Sequence, residues 1–376
     1  MAHRFCFEAS DRSLRDILSI NEPANTKEPF GGMKILLGGD FRQVLPVINH
    51  GSATDAINAS LISSPLWQYF TVFKLTINMQ LQNPSLNNDE KQKIARFAKW
   101  ILDIGEGRIP ACDGNNDADE RWIELPRELL LQPTYDNIEA ITSVVYDELT
   151  RKYASVQYLA ERVVICPLNH TVDEINDIML KKVPGNSKIY FSYDSIVNSI
   201  KQPDDFPVLY PSEFLNSITL NNFPQHMLTL KIDVPVVLLH NIDQSIGLCN
   251  GTRLLIVRLG DHIIEAKIIT GYHIGHQVCI PRIVVHGSSP KWPFTLARRQ
   301  FPIKICYALT INKYQGQTLQ KAGVYLKSPV FSHGQLYVAI SRVRSQEGLI
   351  ILIENDDGTA GTTTKNIVYR KILDHI

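Results

Sequence analysis

The 376-residue sequence predicts an α/β protein that carries a β-rich insertion. Short apolar runs that end at glycine or polar residues are typical of buried parallel strands, and helical periodicity separates some of them. Between residues 228 and 285, by contrast, strand-like runs follow one another without a helical segment. At roughly 150 residues per domain the length favours two or three domains. A composition of 44% hydrophobic and 20% charged residues is that of a globular chain and excludes disordered, collagen-like and coiled-coil proteins.

The first third of the chain contains one predicted strand and two predicted helices. The apolar run Met33–Leu37 reads as a buried parallel strand that ends at Gly38-Gly39-Asp40. Leu61–Phe73 and Asp89–Ile104 follow as helical stretches, the second with apolar residues at helical spacing. A polar, glycine-rich loop from residue 105 to 117 then marks a domain boundary.

A second α/β segment begins with the strand Arg162–Cys166, followed by a helix that opens on a capping box of Thr171 and Glu174. Residues 185–230 look dominated by loops. Closely spaced strands then predict a small inserted β-barrel; they are Val234–Leu239, Arg253–Val257, Ile263–Ile269 and Val278–Val285. The α/β pattern returns at Ile305–Ile311, Gly323–Leu326 and Gly348–Ile353, and the last twenty residues look like a polar tail.

Charge is unevenly distributed along this chain, although 38 basic residues balance 38 acidic ones. The 81 residues from Ala266 to Gln346 contain eleven Lys and Arg and no Asp or Glu, which leaves 27 basic and 38 acidic residues in the other 295. Such segregation is typical of a polyanion-binding face on a neutral protein. The alternative is that buried strands simply lack acidic residues.

Two classes of protein are disfavoured by the sequence. No apolar run approaches the roughly 18 residues of a membrane span, and the N-terminus lacks the apolar core of a secretory signal. The six cysteines include no C-x-x-C pair, so we expect reduced thiols in an intracellular protein without a zinc site or a disulfide framework.

Three polar segments contain residues suited to phosphate chemistry; the first two follow predicted strands, and the third reads as a helix just ahead of the predicted strand Leu349–Ile353. The first, Gly38–Val47, offers the uncharged amide of Gln43 at the carboxyl end of a strand, where ligands sit in α/β sheets. The second, Thr310–Leu319, gathers amides, a hydroxyl and Lys313, which suit a phosphate backbone. The third, His333–Arg344, presents Arg342, whose guanidinium could neutralise charge on a transferred phosphoryl group. The alternatives are polar turns and a solvated surface arginine.

Together and in this order, the segments resemble the Pif-family (petite integration frequency) 5′→3′ DNA helicases of superfamily 1. GDFRQVLPV resembles the family's motif III, TINKYQGQTL its motif V and HGQLYVAISRVRS its motif VI. Further similar stretches are RFCFEASDRSLRDI near the start, YPSEFLNSI at 210–218 and GLCNGTRL at 247–254. The resemblance covers nearly the whole chain.

The resemblance implies a RecA-like P-loop NTPase helicase core, with ATP and Mg²⁺ as cofactors and single-stranded DNA and DNA junctions as partners. It implies a monomer without a membrane association, in the nucleus or a mitochondrion, that acts in DNA repair, recombination and telomere maintenance. The catalytic residues carried over are Gln43 as γ-phosphate sensor and Arg342 as arginine finger. The implied nucleotide contacts are Gly39, Asp40, Arg42, Gln317 and Gly334. The implied DNA contacts are Lys313, Gln315, Thr318, Arg298 and Arg299.

The implied domains are interleaved along the chain. Residues 1–120 are expected to be the remainder of the first RecA-like domain, and 121–205 and 301–356 the two parts of the second. Residues 206–300 are expected to be the inserted barrel region, and 357–376 the tail.

Some family motifs have no counterpart in the sequence. No G-x-x-x-x-G-K-[ST] occurs, Asp147-Glu148 lies in a helical stretch rather than at a strand end, and Gln80 and His240 stand where arginine is common in the family. We therefore expect a family member that lacks the N-terminal Walker A and Walker B region and does not hydrolyse ATP alone. The alternatives are a catalytically dead DNA-binding remnant and a non-enzymatic interaction module built on the barrel.

Overall fold

The computed structural model describes residues 2–48, 51–114, 118–132, 136–197, 210–290, 292–315 and 317–374. The chain forms two compact units. Unit one comprises Met1–Gln132, Gln315–Gln317 and Val324–Ile376, and unit two comprises Pro133–Tyr314 and Thr318–Gly323. No helix of the described residues is long and apolar enough to cross a membrane.

Helices and strands alternate through much of the chain, as an α/β protein requires. The helices described are α1 (Arg4–Leu18), α2 (Ala53–Asn58), α3 (Asn88–Gly105), α4 (Asn137–Val145), α5 (Leu149–Lys152), α6 (Val156–Ala160), α7 (Asn169–Lys182), α8 (Ser212–Ser217), α9 (Gln335–Ile340) and α10 (Arg370–Leu373). The strands described are β1 (Glu120–Glu124), β2 (Arg162–Cys166), β3 (Lys188–Phe191), β4 (Tyr193–Val197), β5 (Met227–Leu230), β6 (Pro235–Leu238), β7 (Arg253–Leu259), β8 (Ile263–Ile268), β9 (Gln277–Pro281), β10 (Ile283–Ser288), β11 (Thr295–Gln300), β12 (Ile303–Ile305), β13 (Ala308–Thr310), β14 (Lys321–Leu326), β15 (Leu349–Glu354), β16 (Ala360–Gly361) and β17 (Thr363–Ile367).

The predicted strand at Met33–Leu37 is wrong. Residues 33–40 adopt no regular secondary structure, and Leu36 is 95% exposed. A strand needs hydrogen-bonded neighbours, and no backbone hydrogen bond to residues 34–39 occurs within the described part of the chain. The apolar run has the side-chain pattern of a strand. In the described part of the chain, however, it has no neighbouring strand to pair with.

The predicted helix at Leu61–Phe73 is also wrong, whereas the next predicted helix is confirmed. Leu61–Ser63 and Trp67–Tyr69 are short 3₁₀ turns. Pro65 lies between them and disfavours helical geometry at the residue before it. Helix α3, in contrast, begins at a capping box in which Asn87 and Glu90 each accept from the other's backbone N–H.

The C-terminal residues of unit one are folded rather than a polar tail. Strand β17 pairs with β1 in antiparallel register, and Ile372 of α10 is fully buried. The Asn366 amide donates to the Ile104 carbonyl at 2.9 Å, which joins β17 to the end of α3. The polar composition of this segment reflects a strand with one buried face.

Unit two contains the predicted second α/β segment. Strand β2 pairs in parallel with β13, and both are almost completely buried. Asn176 on α7 donates to the carbonyls of Ile305 and Ala308 at 3.0 and 3.1 Å and accepts from the Ala308 N–H, so α7 is fixed against β13. The helix begins at Asn169 with Leu168 as its N-cap, so the expected capping box of Thr171 and Glu174 is not formed.

The β-rich insertion is confirmed in unit two, whereas a closed barrel is not. Strands β12-β6-β7-β8-β9 form one antiparallel sheet, β10-β11-β4 a second, and β3-β5 a pair. Among the described residues the five-stranded and the three-stranded sheet are open, because the first and last strands of each are not paired with each other. The run predicted as one strand at Val278–Val285 is two, β9 and β10, separated at Arg282.

Candidate functional site

In unit one, the polar loop after residue 38 is held by helices α3 and α9. The Tyr337 hydroxyl of α9 donates to Asp40 Oδ2 at 2.8 Å. Arg42 Nε donates to Asp40 Oδ1 at 2.8 Å, and Arg42 Nη1 donates to Glu106 Oε1 at 3.2 Å. The Tyr337 ring packs against Gly105, where an added Cβ would lie 2.6 Å from it. Motifs that are almost 300 residues apart in sequence therefore meet here.

The electrostatics of this contact keep Asp40 charged. Burial alone would raise the pKa of Asp40, but the hydrogen bond and the positive charge of Arg42, with the Tyr337 hydroxyl, outweigh burial and hold the pKa below its usual value. Burial likewise raises the pKa of Tyr337, with the Asp40 charge adding to the shift. The phenol therefore remains a donor and the carboxylate an acceptor.

His333 forms the second connection between the loop and the segment that leads into α9. Its Nε2 lies 2.8 Å from the Phe41 carbonyl, and its Nδ1 accepts from the Tyr369 N–H at 2.9 Å. Because a carbonyl only accepts and a backbone N–H only donates, the imidazole is neutral with its proton on Nε2. Burial lowers the pKa of His333, which favours this state.

Gly334 makes the closest approach between the two segments. Its φ of 71° lies in the left-handed region that favours glycine, and an added Cβ would fall on the Arg42 carbonyl oxygen and 2.8 Å from the Gln43 carbonyl carbon. We call the set Asp40, Arg42, His333, Gly334 and Tyr337 the loop–helix clasp. It fixes the backbone from Asp40 to Gln43.

The two predicted catalytic residues differ in their surroundings. Gln43 is partly exposed, and no hydrogen bond of its side chain to the described residues is present. Arg342 is 7% exposed; its Nε donates to the Val338 carbonyl at 2.7 Å and its Nη2 to Ser341 Oγ at 2.8 Å. Its Nη1 reaches the carbonyl of Gln317 at 3.5 Å. The structure therefore joins Arg342 with Gln317, another predicted nucleotide contact, in unit one.

Gln317 and Gly39 complete the nucleotide contacts that the sequence predicted. Gln317 Oε1 is buried and has no hydrogen-bond partner among the described residues. Gly39 is exposed, and an added Cβ there would meet nothing within 4 Å. A buried acceptor without a donor is costly, so Gln317 is suited to a ligand or water that donates to it.

The residues predicted to bind DNA lie in unit two, except for Gln315 in unit one. Thr318 and Arg299 are exposed, whereas Lys313 and Gln315 are partly buried. Burial, with the nearby charge of Lys304, lowers the pKa of Lys313 to about 8, and Asp173 only partly opposes this. A phosphate beside Lys313 would raise its pKa again.

Arg298 lies in the interior, which corrects the expectation that it faces DNA. Its guanidinium is 1% exposed and forms a bidentate ion pair with Asp194, 2.7 Å at the closer contact. It also donates to the carbonyls of Leu215 and Ile218 at 3.0 and 3.1 Å. Arg298 therefore joins β11 to β4 and α8 and offers nothing to a phosphate in this conformation.

Three residues of structural importance were missed by sequence reasoning. His333 and Tyr337 lie within the quoted motif VI stretch, and Arg253 lies within GLCNGTRL. Arg253 is fully buried and donates to the Leu159 carbonyl at 2.9 Å and to the Tyr314 hydroxyl at 3.2 Å. The signal in the sequence that could have identified them is a polar side chain next to apolar residues, which indicates a buried hydrogen-bonded group.

The donors of unit one suit phosphate better than a metal ion. The amide of Gln43 and the guanidinium of Arg342 match the acceptor oxygens of a nucleotide phosphate. The described residues contain no group of three or more His, Cys, Asp and Glu that could hold a metal ion. We therefore assign no residue of the described chain to Mg²⁺.

Comparison with protein families finds two ranges of the chain that match known family models. Residues 1–115 match the model described as "PIF1-like helicase", and residues 213–259 match "DNA helicase Pif1, 2B domain". The chain is therefore similar to the Pif1-like helicase family over these two ranges. This family consists of ATP-dependent DNA helicases, which are enzymes.

Curated relatives extend the similarity over most of the chain. ATP-dependent DNA helicase PIF1 of Danio rerio is 25% identical over 357 residues, which are 92% of this chain and 43% of that protein. The Xenopus laevis protein of the same name is 27% identical over 86% of this chain and 42% of its own length. ATP-dependent DNA helicase RRM3 of Saccharomyces cerevisiae is 22% identical over 86% of this chain. The chain thus spans about two fifths of the first two relatives.

Solved structures of the same family share the fold. Pif1 helicase from Bacteroides in complex with ADP-AlF3 and single-stranded DNA matches with a TM-score of 0.61 at 19% identity, covering 100% of this chain and 72% of that one. Pif1 helicase from Candida albicans matches with a TM-score of 0.53 at 21% identity, covering 97% and 74%. The predicted α/β fold class of the RecA-like helicases is confirmed.

Proposed function

We propose that this Pif1-like chain is part of an ATP-dependent 5′→3′ DNA helicase that acts on single-stranded DNA and DNA junctions. The proposal includes ATP with Mg²⁺ as cofactor, a monomeric state, and action in DNA repair, recombination and telomere maintenance in the nucleus or a mitochondrion. The interleaved domain boundaries expected from the sequence for residues 1–356 belong to it as well. The observation that carries it is the loop–helix clasp, which holds the two motifs that the family resemblance assigns to phosphate.

Gln43 and Arg342 have complementary roles in this proposal. Phosphoryl transfer spreads negative charge over the γ-phosphate oxygens, which a guanidinium stabilises more than a neutral amide does. Arg342 would neutralise that charge, and Gln43 would detect the γ-phosphate through hydrogen bonds of its amide. Asp40 and Arg42 form an ion pair with each other, so their role is to position the backbone of Gln43.

For DNA, the proposal uses Lys313, Gln315, Thr318 and Arg299. Their amide, hydroxyl and cationic groups are the usual contacts of a phosphate backbone, which position the strand without reading its sequence. Arg298 is left out because its guanidinium is used within unit two.

The test is ATP hydrolysis in the chain joined to the Walker A and Walker B segment of a close relative. We expect single-stranded DNA to stimulate turnover, and Arg342→Ala to lower kcat by about 10³-fold, the lower end of what an arginine finger contributes. Gln43→Ala should lower kcat by roughly tenfold or more, since one hydrogen bond to a charged group contributes about 1.5–3 kcal/mol.

The matched control is Arg344→Ala, because Arg344 is two residues away and exposed. It should leave kcat within about twofold, as expected for a surface position. Equal losses for Arg342→Ala and Arg344→Ala, or unchanged kcat in Arg342→Ala, would contradict the assigned role. DNA binding without any stimulated hydrolysis would favour the alternative of a DNA-binding remnant.

A further inference from the structure

One face of the three-stranded sheet β10-β11-β4 in unit two combines exposed aromatic rings with arginines. Val284, Arg299 and Tyr193 are direct cross-strand partners, so their side chains lie in one row on one face. Val284 is 52% exposed and Tyr193 72% exposed, and Arg299 is exposed too. Phe191, two residues before Tyr193, is 57% exposed. Large exposed apolar groups of this kind mark interaction surfaces.

Two guanidiniums lie together on this face. Arg282 precedes Val284 by two residues, and its Nη1 donates to the Phe191 carbonyl at 2.6 Å. The guanidinium also lies over the Phe301 ring, 4.9 Å from the ring centre. Burial is the main cause that lowers the pKa of Arg282, and the positive charge of Arg299 lowers it further. Neither arginine forms an ion pair with a described residue.

The opposite face of the same sheet is buried, so the exposed aromatic rings and arginines lie on one face only. Val285, Leu296 and Arg298, which alternate with the exposed residues, are buried in a core with α8. Asp194 on β4 points into that core and is paired with Arg298. Strands β10 and β11 also lie within the stretch from Ala266 to Gln346, which contains no acidic residue. The exposed face is therefore positive without a neighbouring carboxylate on these strands.

We propose that this aromatic–arginine face, formed by Phe191, Tyr193, Arg282, Val284 and Arg299, binds single-stranded DNA. Two guanidiniums that repel each other are stabilised by a phosphodiester between them, and an exposed ring accepts an unpaired base by stacking. A duplex hides its base faces, so the aromatic rings select a single strand. The inference rests on the proposed DNA binding and adds a specific surface in unit two to it.

The experiment measures binding of the 376-residue chain to a fluorescent oligo(dT) over a range of salt concentrations. We expect Arg282→Gln and Arg299→Gln each to reduce the log–log salt slope by about 0.7, because each removes one phosphate contact. Tyr193→Ala should weaken binding roughly tenfold without changing the slope, because stacking releases no counterions. Tyr193→Phe, which keeps the ring, should bind like the unmodified chain.

Two residues of the other sheet serve as matched controls. Arg258 on β7 is exposed and ion-paired with Glu265, and Tyr272 after β8 is fully exposed. Arg258→Gln and Tyr272→Ala should leave affinity and slope unchanged.

Each contrary outcome overturns the inference in a recognisable way. If the unmodified chain binds and the three variants bind equally well, this face is not the site and Arg299 is not a DNA contact, while the proposed DNA binding through Lys313, Gln315 and Thr318 stands. If only the arginine variants differ, the face is a general polyanion surface and the stacking role of Tyr193 is overturned. If the unmodified chain does not bind oligo(dT) at low salt, both this inference and the proposed DNA binding are overturned.

Discussion

At the scale of single residues, the site depends on side chains whose role is set by a partner far away in sequence. The resemblance implies that Asp40 is a nucleotide contact, but Arg42 and Tyr337 donate hydrogen bonds to both of its carboxylate oxygens. Arg298 looks like a DNA contact, but Asp194 and backbone carbonyls surround it. In both cases the residue type was chemically suitable, and only the partners decided its use.

His333 offers a prediction on pH. Burial lowers its pKa below the ordinary value of 6.5, and the neutral ring accepts from the Tyr369 N–H. The neutral ring stabilises the fold above that ordinary value, and this contribution is lost as the pH falls below it. We expect the free energy of unfolding to decrease below about pH 6.5, with a slope of at most about 1.4 kcal/mol per pH unit from this group.

The measurement is chemical denaturation at several pH values, compared between the unmodified chain and His333→Gln. Glutamine can donate to the Phe41 carbonyl and accept from the Tyr369 N–H without titrating. The variant should therefore show a shallower loss of stability at acidic pH. Parallel curves for the two proteins would show that His333 does not titrate between the folded and unfolded states.

At the scale of secondary-structure elements, long periodic patterns were reliable and short apolar runs were not. Helix α3 was predicted within one residue of its bounds because its apolar residues recur over about three turns, from Ile94 to Ile104. The run Met33–Leu37 is too short for such a repeat. In the described chain its backbone has no hydrogen-bonded neighbouring strand. A helix satisfies its own backbone, whereas a strand depends on another segment.

Gly334 offers a prediction on the contact between two elements. Gly334→Ala would place a Cβ on the Arg42 carbonyl, so we expect a loss of about 2–4 kcal/mol in the free energy of unfolding, from backbone strain and overpacking together. Gly358→Ala is the control, because Gly358 has a φ of 82° and nothing within 4 Å of an added Cβ. It should lose only the strain of about 1–2 kcal/mol. Equal losses in urea denaturation would argue against a tight approach at Gly334.

At the scale of the whole molecule, the segregation of charge is reduced by folding. Of the eleven basic residues between Ala266 and Gln346, Arg298 and Arg342 are buried. Lys304 and Lys321 are ion-paired with Asp173 and Asp147 at 2.5 and 2.9 Å. A cation that already has a carboxylate gains little from a phosphate, so fewer than eleven groups are available to DNA.

The salt dependence of DNA binding tests this conclusion for the complete chain. Five or six phosphate contacts would give a log–log slope of about −4 for single-stranded DNA, at roughly −0.7 per contact. The measurement is fluorescence anisotropy with oligo(dT) between low and physiological salt. A slope near zero would contradict an electrostatic interface, and a slope near −8 would mean that the paired and buried cations also contact the strand.

The resemblance to the Pif-family helicases and the general α/β organisation could be predicted from the sequence alone, because motif stretches and long periodic helices are properties of contiguous residues. It also located the polar segments around Gln43 and Arg342. Only the tertiary structure decided which of these polar groups are available to a ligand. Tyr337 and Arg42 donate hydrogen bonds to Asp40, and Asp194 forms an ion pair with Arg298. The physical reason is that hydrogen bonds and ion pairs form between residues that are distant in sequence, and burial raises the cost of leaving any of them unpaired. The available groups are therefore those that the folded chain leaves without a partner, and no local pattern contains that information.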